Sequence, residues 1–88
     1  MPDLLLELAR QAVLAGSLPP EADVAAYGGP SDGATCDVCG TAILERAPEI
    51  EIVWRATPDA GHRTARVHVL CHLAWASVVH RRNFIDGA

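Results

Sequence analysis

Cys36-Asp37-Val38-Cys39-Gly40 is followed, with 28 residues between Cys39 and His68, by His68-Val69-Leu70-Cys71-His72. In the first stretch the Cys-x-x-Cys spacing bends the backbone so that two thiols converge, and the glycine permits the tight turn beyond the second sulfur. In the second, His68 and Cys71 stand three apart, which in a first helical turn puts both side chains on one face. Three soft thiolates and one imidazole suit the tetrahedral coordination of zinc, and all three cysteines of the chain are then used. The expected metal ligands are Cys36, Cys39, His68 and Cys71, and the expected cofactor is Zn2+. No residue is expected to be catalytic or to bind another cofactor.

Each piece has a plainer reading. A Cys-x-x-Cys can be a redox pair, but such pairs open a helix in a thioredoxin-like setting, whereas here a glycine and a hairpin pattern follow. Cys71 alone could be a small core residue and His68 a satisfied strand histidine. His72 competes with Cys71 for the fourth ligand place, because His68-x-x-x-His72 is also a helical pair. His62 reads as turn decoration and His80 as a solvated helix residue.

The flanking pattern builds outward from the pair. Glu49 to Arg55 alternates with period two, placing Ile50, Ile52 and Trp54 on one side, and Arg63 to Val69 alternates again with Ala65, Val67 and Val69 on one side. Thr57-Pro58-Asp59-Ala60-Gly61 supplies turn chemistry between them, so the two runs predict a hairpin. Opposite charges, Glu49 and Glu51 against Arg63 and Arg66, help select its pairing. Leu70 to Arg82 reads as a helix, with Cys71, Trp75, Val78, Val79 and Arg82 at spacings of three and four. Trp54 and Trp75 are expected to pack between hairpin and helix.

Upstream, Asp3 can cap a helix whose apolar positions are Leu4, Leu5, Leu8, Ala12 and Val13, with Gly16 as its stop and Leu18-Pro19-Pro20 as the break. Glu21 to Thr35 reads as a connector rich in turn residues, pinned down by Val24 and Tyr27.

The order of knuckle, hairpin, ligand pair and helix over residues 36 to about 82 resembles the treble-clef zinc finger, with Cys36, Cys39, His68 and Cys71 as the matching positions. The His-x-x-Cys half is similar to that of LIM-type modules. This chain has one four-ligand set and a longer gap, so a LIM partner specificity is not carried over. Cys-x-x-Cys-Gly with His-x-x-Cys-x-x-x-Trp, ending at Trp75, is also similar to small uncharacterised bacterial zinc-binding proteins. The resemblance implies an α+β fold with a zinc-stapled, treble-clef-like knuckle, a β-hairpin and a C-terminal helix, to which the helical pattern upstream adds an N-terminal helix. The expected division is residues 1–35, an N-terminal helix and Gly/Pro-rich connector, and residues 36–88, the zinc-binding treble-clef-like domain. The resemblance implies a metal and no particular activity.

At 88 residues a single core leaves a modest margin over conformational entropy, which favours a staple such as a metal. No apolar run reaches the length of a membrane-spanning helix and no secretory signal is evident, so a cytoplasmic protein is expected. Charge is lopsided: residues 1–51 hold nine acids and two arginines, a net −7, and residues 52–88 hold five arginines and two acids, a net +3. A non-specific nucleic-acid binder shows a basic excess over the whole domain, which this chain lacks. Arg63, Arg66, Arg81 and Arg82 keep a nucleic-acid-binding regulator as the alternative. The leading expectation is a non-enzymatic adaptor or regulatory module that acts through an unidentified protein partner, with no membrane and with a homodimer through the leucines of residues 1–16 left open. A hydrolytic zinc needs an open coordination position, which four protein ligands close.

Overall fold

The computed structural model describes the backbone of residues 3–21 and 23–87, and the side chains of those up to residue 80. The elements run α1 (Asp3–Leu14), β1 (Ala25–Pro30), β2 (Pro48–Arg55), β3 (His62–His68) and α2 (Val69–Gly87). The result is a small α+β fold of two helices and one antiparallel sheet in the order β1-β2-β3. Among the described residues, no helix is long and apolar enough to cross a membrane.

The hairpin forms as expected, with Glu51 opposite Arg66 and Ile52 opposite Ala65, but Arg63 pairs with Trp54 and Glu49 with His68, so of the expected charge pairs only Glu51 and Arg66 stand directly opposite each other. Ile52, Trp54, Ala65 and Val67 are buried on its inner face, against Cys71, Ala74, Trp75 and Val79 of α2. No glycine or proline interrupts α2 before Gly87, and its buried positions recur at three and four, as an amphipathic helix requires. Val69 departs from the expectation. It begins α2 instead of continuing β3 and is partly exposed, because the chain turns into the helix directly after His68.

α1 packs on the same core through Ala9, Ala12 and Val13, with Leu5 and Leu8 partly buried. Leu4, expected on this face, is 71% exposed, and Ala9 takes the deepest position. The helix ends in a Schellman motif: Ser17 N donates to Ala12 O at 2.9 Å and Gly16 N to Val13 O at 3.1 Å, with Gly16 at φ 80°. The break that follows is structural as well as punctuating. Leu18 is buried, and the indole Nε1 of Trp75 donates to Pro19 O at 2.9 Å, joining α2 to the chain beyond α1.

The stretch read as a connector contains a strand. Ala25–Pro30 pairs antiparallel with β2, Tyr27 opposite Glu51 and Gly29 opposite Glu49. Val24 packs against the core as expected, whereas Tyr27 is 60% exposed and pins nothing. Ser31, expected only in a turn, is buried. Its hydroxyl donates to Ile43 O at 3.1 Å and accepts from Gly33 N at 3.0 Å, while its backbone bonds Ala47 O and Arg46 N at 2.8 Å each. These bonds fasten the connector to the loop that leads out of the knuckle.

Candidate metal centre

The knuckle is closed by its own backbone. Cys36 N donates to Thr41 O at 2.8 Å, Gly40 N to Cys36 O at 3.0 Å, and Val38 N to Cys36 Sγ at 3.4 Å. Gly40 sits at φ 77°, a conformation that a Cβ would strain, so the residue after the second cysteine is glycine for a local reason. A single bridge between Thr35 and Ala42 closes the base of this turn.

Asp37, one of the two intervening residues, docks the knuckle on the sheet. Its N–H donates to Arg66 O at 2.9 Å, and its carboxylate Oδ2 accepts from Arg66 N at 2.9 Å. The knuckle therefore lies along the free side of β3, two residues before His68. The turn from β3 into α2 then swings Cys71 back toward it.

The outcome is convergence. The ligand atoms of Cys36, Cys39, His68 and Cys71 all lie within 4.8 Å of one another. His68 Nδ1 is 3.4 Å from Cys39 Sγ and 3.8 Å from Cys71 Sγ. Tetrahedral bond lengths of about 2.3 Å to sulfur and about 2.0 Å to nitrogen require N···S edges of about 3.5 Å, so the two observed edges bracket the value a metal would impose. Cys36 and Cys71 are buried and Cys39 and His68 half-buried, which places one side of the group toward solvent. Nδ1 is the ring nitrogen that faces the sulfurs, so it is the atom His68 would offer a metal.

The electrostatics match a group that wants a cation. Burial alone would raise the Cys39 thiol, but hydrogen bonds from Thr41, whose Oγ1 lies 3.0 Å from the sulfur, and then from Cys36 and Cys71 outweigh it and lower its pKa to about 6. Burial pushes the Cys71 thiol up to about 12, reinforced by the neighbouring sulfurs of Cys36 and then Cys39. A cation held by this group would have to displace the proton that burial keeps on Cys71.

All four residues singled out by spacing are thus brought together into a group suited to holding a metal ion. His72 is not among them. Its ring is tilted against Trp75 with centroids 5.6 Å apart, and burial lowers its pKa, so it belongs to the helix packing. His62 is exposed and accepts a hydrogen bond from Arg55 Nε at 3.3 Å, and His80 is exposed on α2. Sequence reasoning missed Thr41 and Asp37. The first is legible only as a hydroxyl two residues after a thiol, and the second as an acid inside the knuckle.

Comparison with protein-family models, with curated proteins and with solved structures finds no match to this chain. What the chain shows by itself is a small α+β fold with a Cys3His group that could hold a metal ion.

Proposed function

We propose that Cys36, Cys39, His68 and Cys71 hold one zinc ion in a closed, treble-clef-like site, and that the chain is a non-enzymatic adaptor or regulatory module acting through protein contacts. The convergence of four ligand atoms within 4.8 Å carries this reading. Four protein ligands fill the tetrahedron, and three thiolates with a neutral imidazole give the ion a net charge of −1, which makes it a poor Lewis acid for water. What zinc supplies here is a cross-link between the knuckle and the β3–α2 junction. In this reading residues 36–88 are the zinc-binding unit, residues 1–35 add a helix and an edge strand to it, and the three thiols suit a reducing compartment such as the cytoplasm.

Nucleic acid is the weaker partner. Arg66, one of the four arginines that reading needs, is engaged by Asp32 at 2.9 Å and lies near Glu49 and Glu51 at 3.6 and 3.7 Å. Arg81 and Arg82 lie outside the described side chains. Elemental analysis of the purified chain should give one zinc per chain, lost in Cys39→Ser. Zinc-loaded protein should turn over no ester, phosphodiester or disulfide substrate. Metal-free protein, or turnover abolished by chelation without unfolding, would overturn the proposal.

A further inference from the structure

The outer face of the sheet carries a recess that the metal centre does not use. Cross-strand partners share a face, so Gly29, Glu49 and His68 form one row across the sheet and Tyr27, Glu51 and Arg66 the next. A cavity of ≈ 240 Å³ opens there, lined among others by Tyr27, Gly29, Asp32, Glu49, Glu51 and Arg66. Three carboxylates face one guanidinium, and that guanidinium is unevenly shared. Arg66 Nη1 reaches both oxygens of Asp32, at 2.9 and 3.1 Å, but its Nε lies only within 3.6 Å of Glu49 and 3.7 Å of Glu51.

Glu49 is the informative member. It is 7% exposed, and its Oε1 is buried with no hydrogen-bond partner among the described residues. A buried carboxylate oxygen without a donor is costly, and on the outer face of a sheet an apolar or exposed residue would avoid that cost. With no donor on Oε1 among the described residues, the Glu49 carboxylate keeps accepting capacity for a group that enters the recess.

Gly29 gives a second, independent observation. It does not have a positive φ, and a Cβ built on it would meet nothing within 4 Å. Neither its backbone nor its packing calls for glycine. A side chain there would stand over Glu49 and fill the recess.

The recess also adjoins an open edge. β1 ends the strand order, all six of its residues are exposed, and none of them joins a backbone hydrogen bond outside the pairing with β2 among the described residues. A bound metal is a poor fit, because among the described residues only the Cys/His group brings its ligand atoms close enough to share an ion.

We propose that the recess receives the cationic side chain, arginine or lysine, of an extended partner segment that pairs with the free edge of β1. Glu49 Oε1 accepts from the cation, and the exposed Tyr27 ring flanks it. Side chains alternate along an added strand, so every second one faces the recess. This inference rests on the adaptor reading and gives its partner a chemistry: a basic, extended peptide.

The test uses zinc-loaded full-length protein and a short, end-blocked Thr/Val peptide carrying one central arginine, with its glutamine counterpart as control. The arginine peptide should shift the amide resonances of residues 27–30 and 49–51 and bind about tenfold or more tightly than the control. Glu49→Gln and Gly29→Val should each weaken it about tenfold, with zinc content and melting temperature unchanged. Equal binding of the two peptides, normal binding by both variants, or calcium chloride shifting these resonances where the peptide does not, would overturn the inference. Zinc measured on the same samples separates the two readings. Indifference to arginine with zinc intact rejects the basic partner alone, whereas peptide binding by a zinc-free chain rejects the metal reading alone.

Discussion

The two edges of the sheet are finished in opposite ways. Along β3, the knuckle covers the backbone at Arg66 through its paired bonds with Asp37, and the candidate metal-ligand group is assembled at that end. Along β1, six exposed residues present an edge that nothing covers among the described residues, beside a buried carboxylate oxygen without a donor among them. Covering an edge removes the hazard of unwanted pairing, and leaving one open is tolerated where pairing is useful. In this small fold one edge is fastened by the knuckle and the other is where the proposed partner segment would pair.

The largest expected effect falls on the covered edge. Cys71→Ser, or chelation by EDTA, should abolish the folded state, since an 88-residue chain without its staple has little margin. Amide dispersion and near-ultraviolet circular dichroism should both collapse. If EDTA strips the metal and the spectrum of residues 36–80 stays unchanged, the covered edge does not depend on the ion.

Gly40→Ala comes next. Forcing a Cβ into φ 77° should cost about 1–2 kcal/mol, read as a lower denaturant midpoint at unchanged slope. Asp37→Ala should act more locally. It removes the acceptor for Arg66 N, so amide exchange at Arg66 should quicken by about an order of magnitude while zinc content holds. Gly29→Val on the open edge should have the smallest effect on stability, about 0.5 kcal/mol or less in either direction, because its site is empty and its φ ordinary. A large loss there would mean that glycine is required by the fold, and the contrast between the two edges would fail.

The same contrast explains what could be read from the sequence. The candidate metal ligands were legible because few arrangements other than shared coordination call for Cys-x-x-Cys-Gly and His-x-x-Cys together. The hairpin was legible because Ile52, Trp54, Ala65 and Val67 alternate against one core. β1 was not legible. Ala25-Ala26-Tyr27-Gly28-Gly29-Pro30 has little strand propensity and buries neither face, so alternation leaves no mark, and the strand exists through its pairing with β2. Ser31 and Pro19 were read only as turn and break residues, since their roles depend on partners 12 and 56 positions away, Ile43 O and Trp75 Nε1. Glu49 looked like an ordinary outward charge; its burial follows from neighbours that the alternation cannot reveal.

The central claim is that one ion is held by three sulfurs and one nitrogen at the covered edge. X-ray absorption at the zinc edge of the protein purified without added metal tests it most directly. Three sulfur neighbours at about 2.3 Å and a single imidazole nitrogen at about 2.0 Å are expected, changing to two sulfurs in any Cys71→Ser protein that still retains zinc. A first shell containing two imidazoles, an oxygen from water, or the same three sulfurs after Cys71→Ser would contradict it.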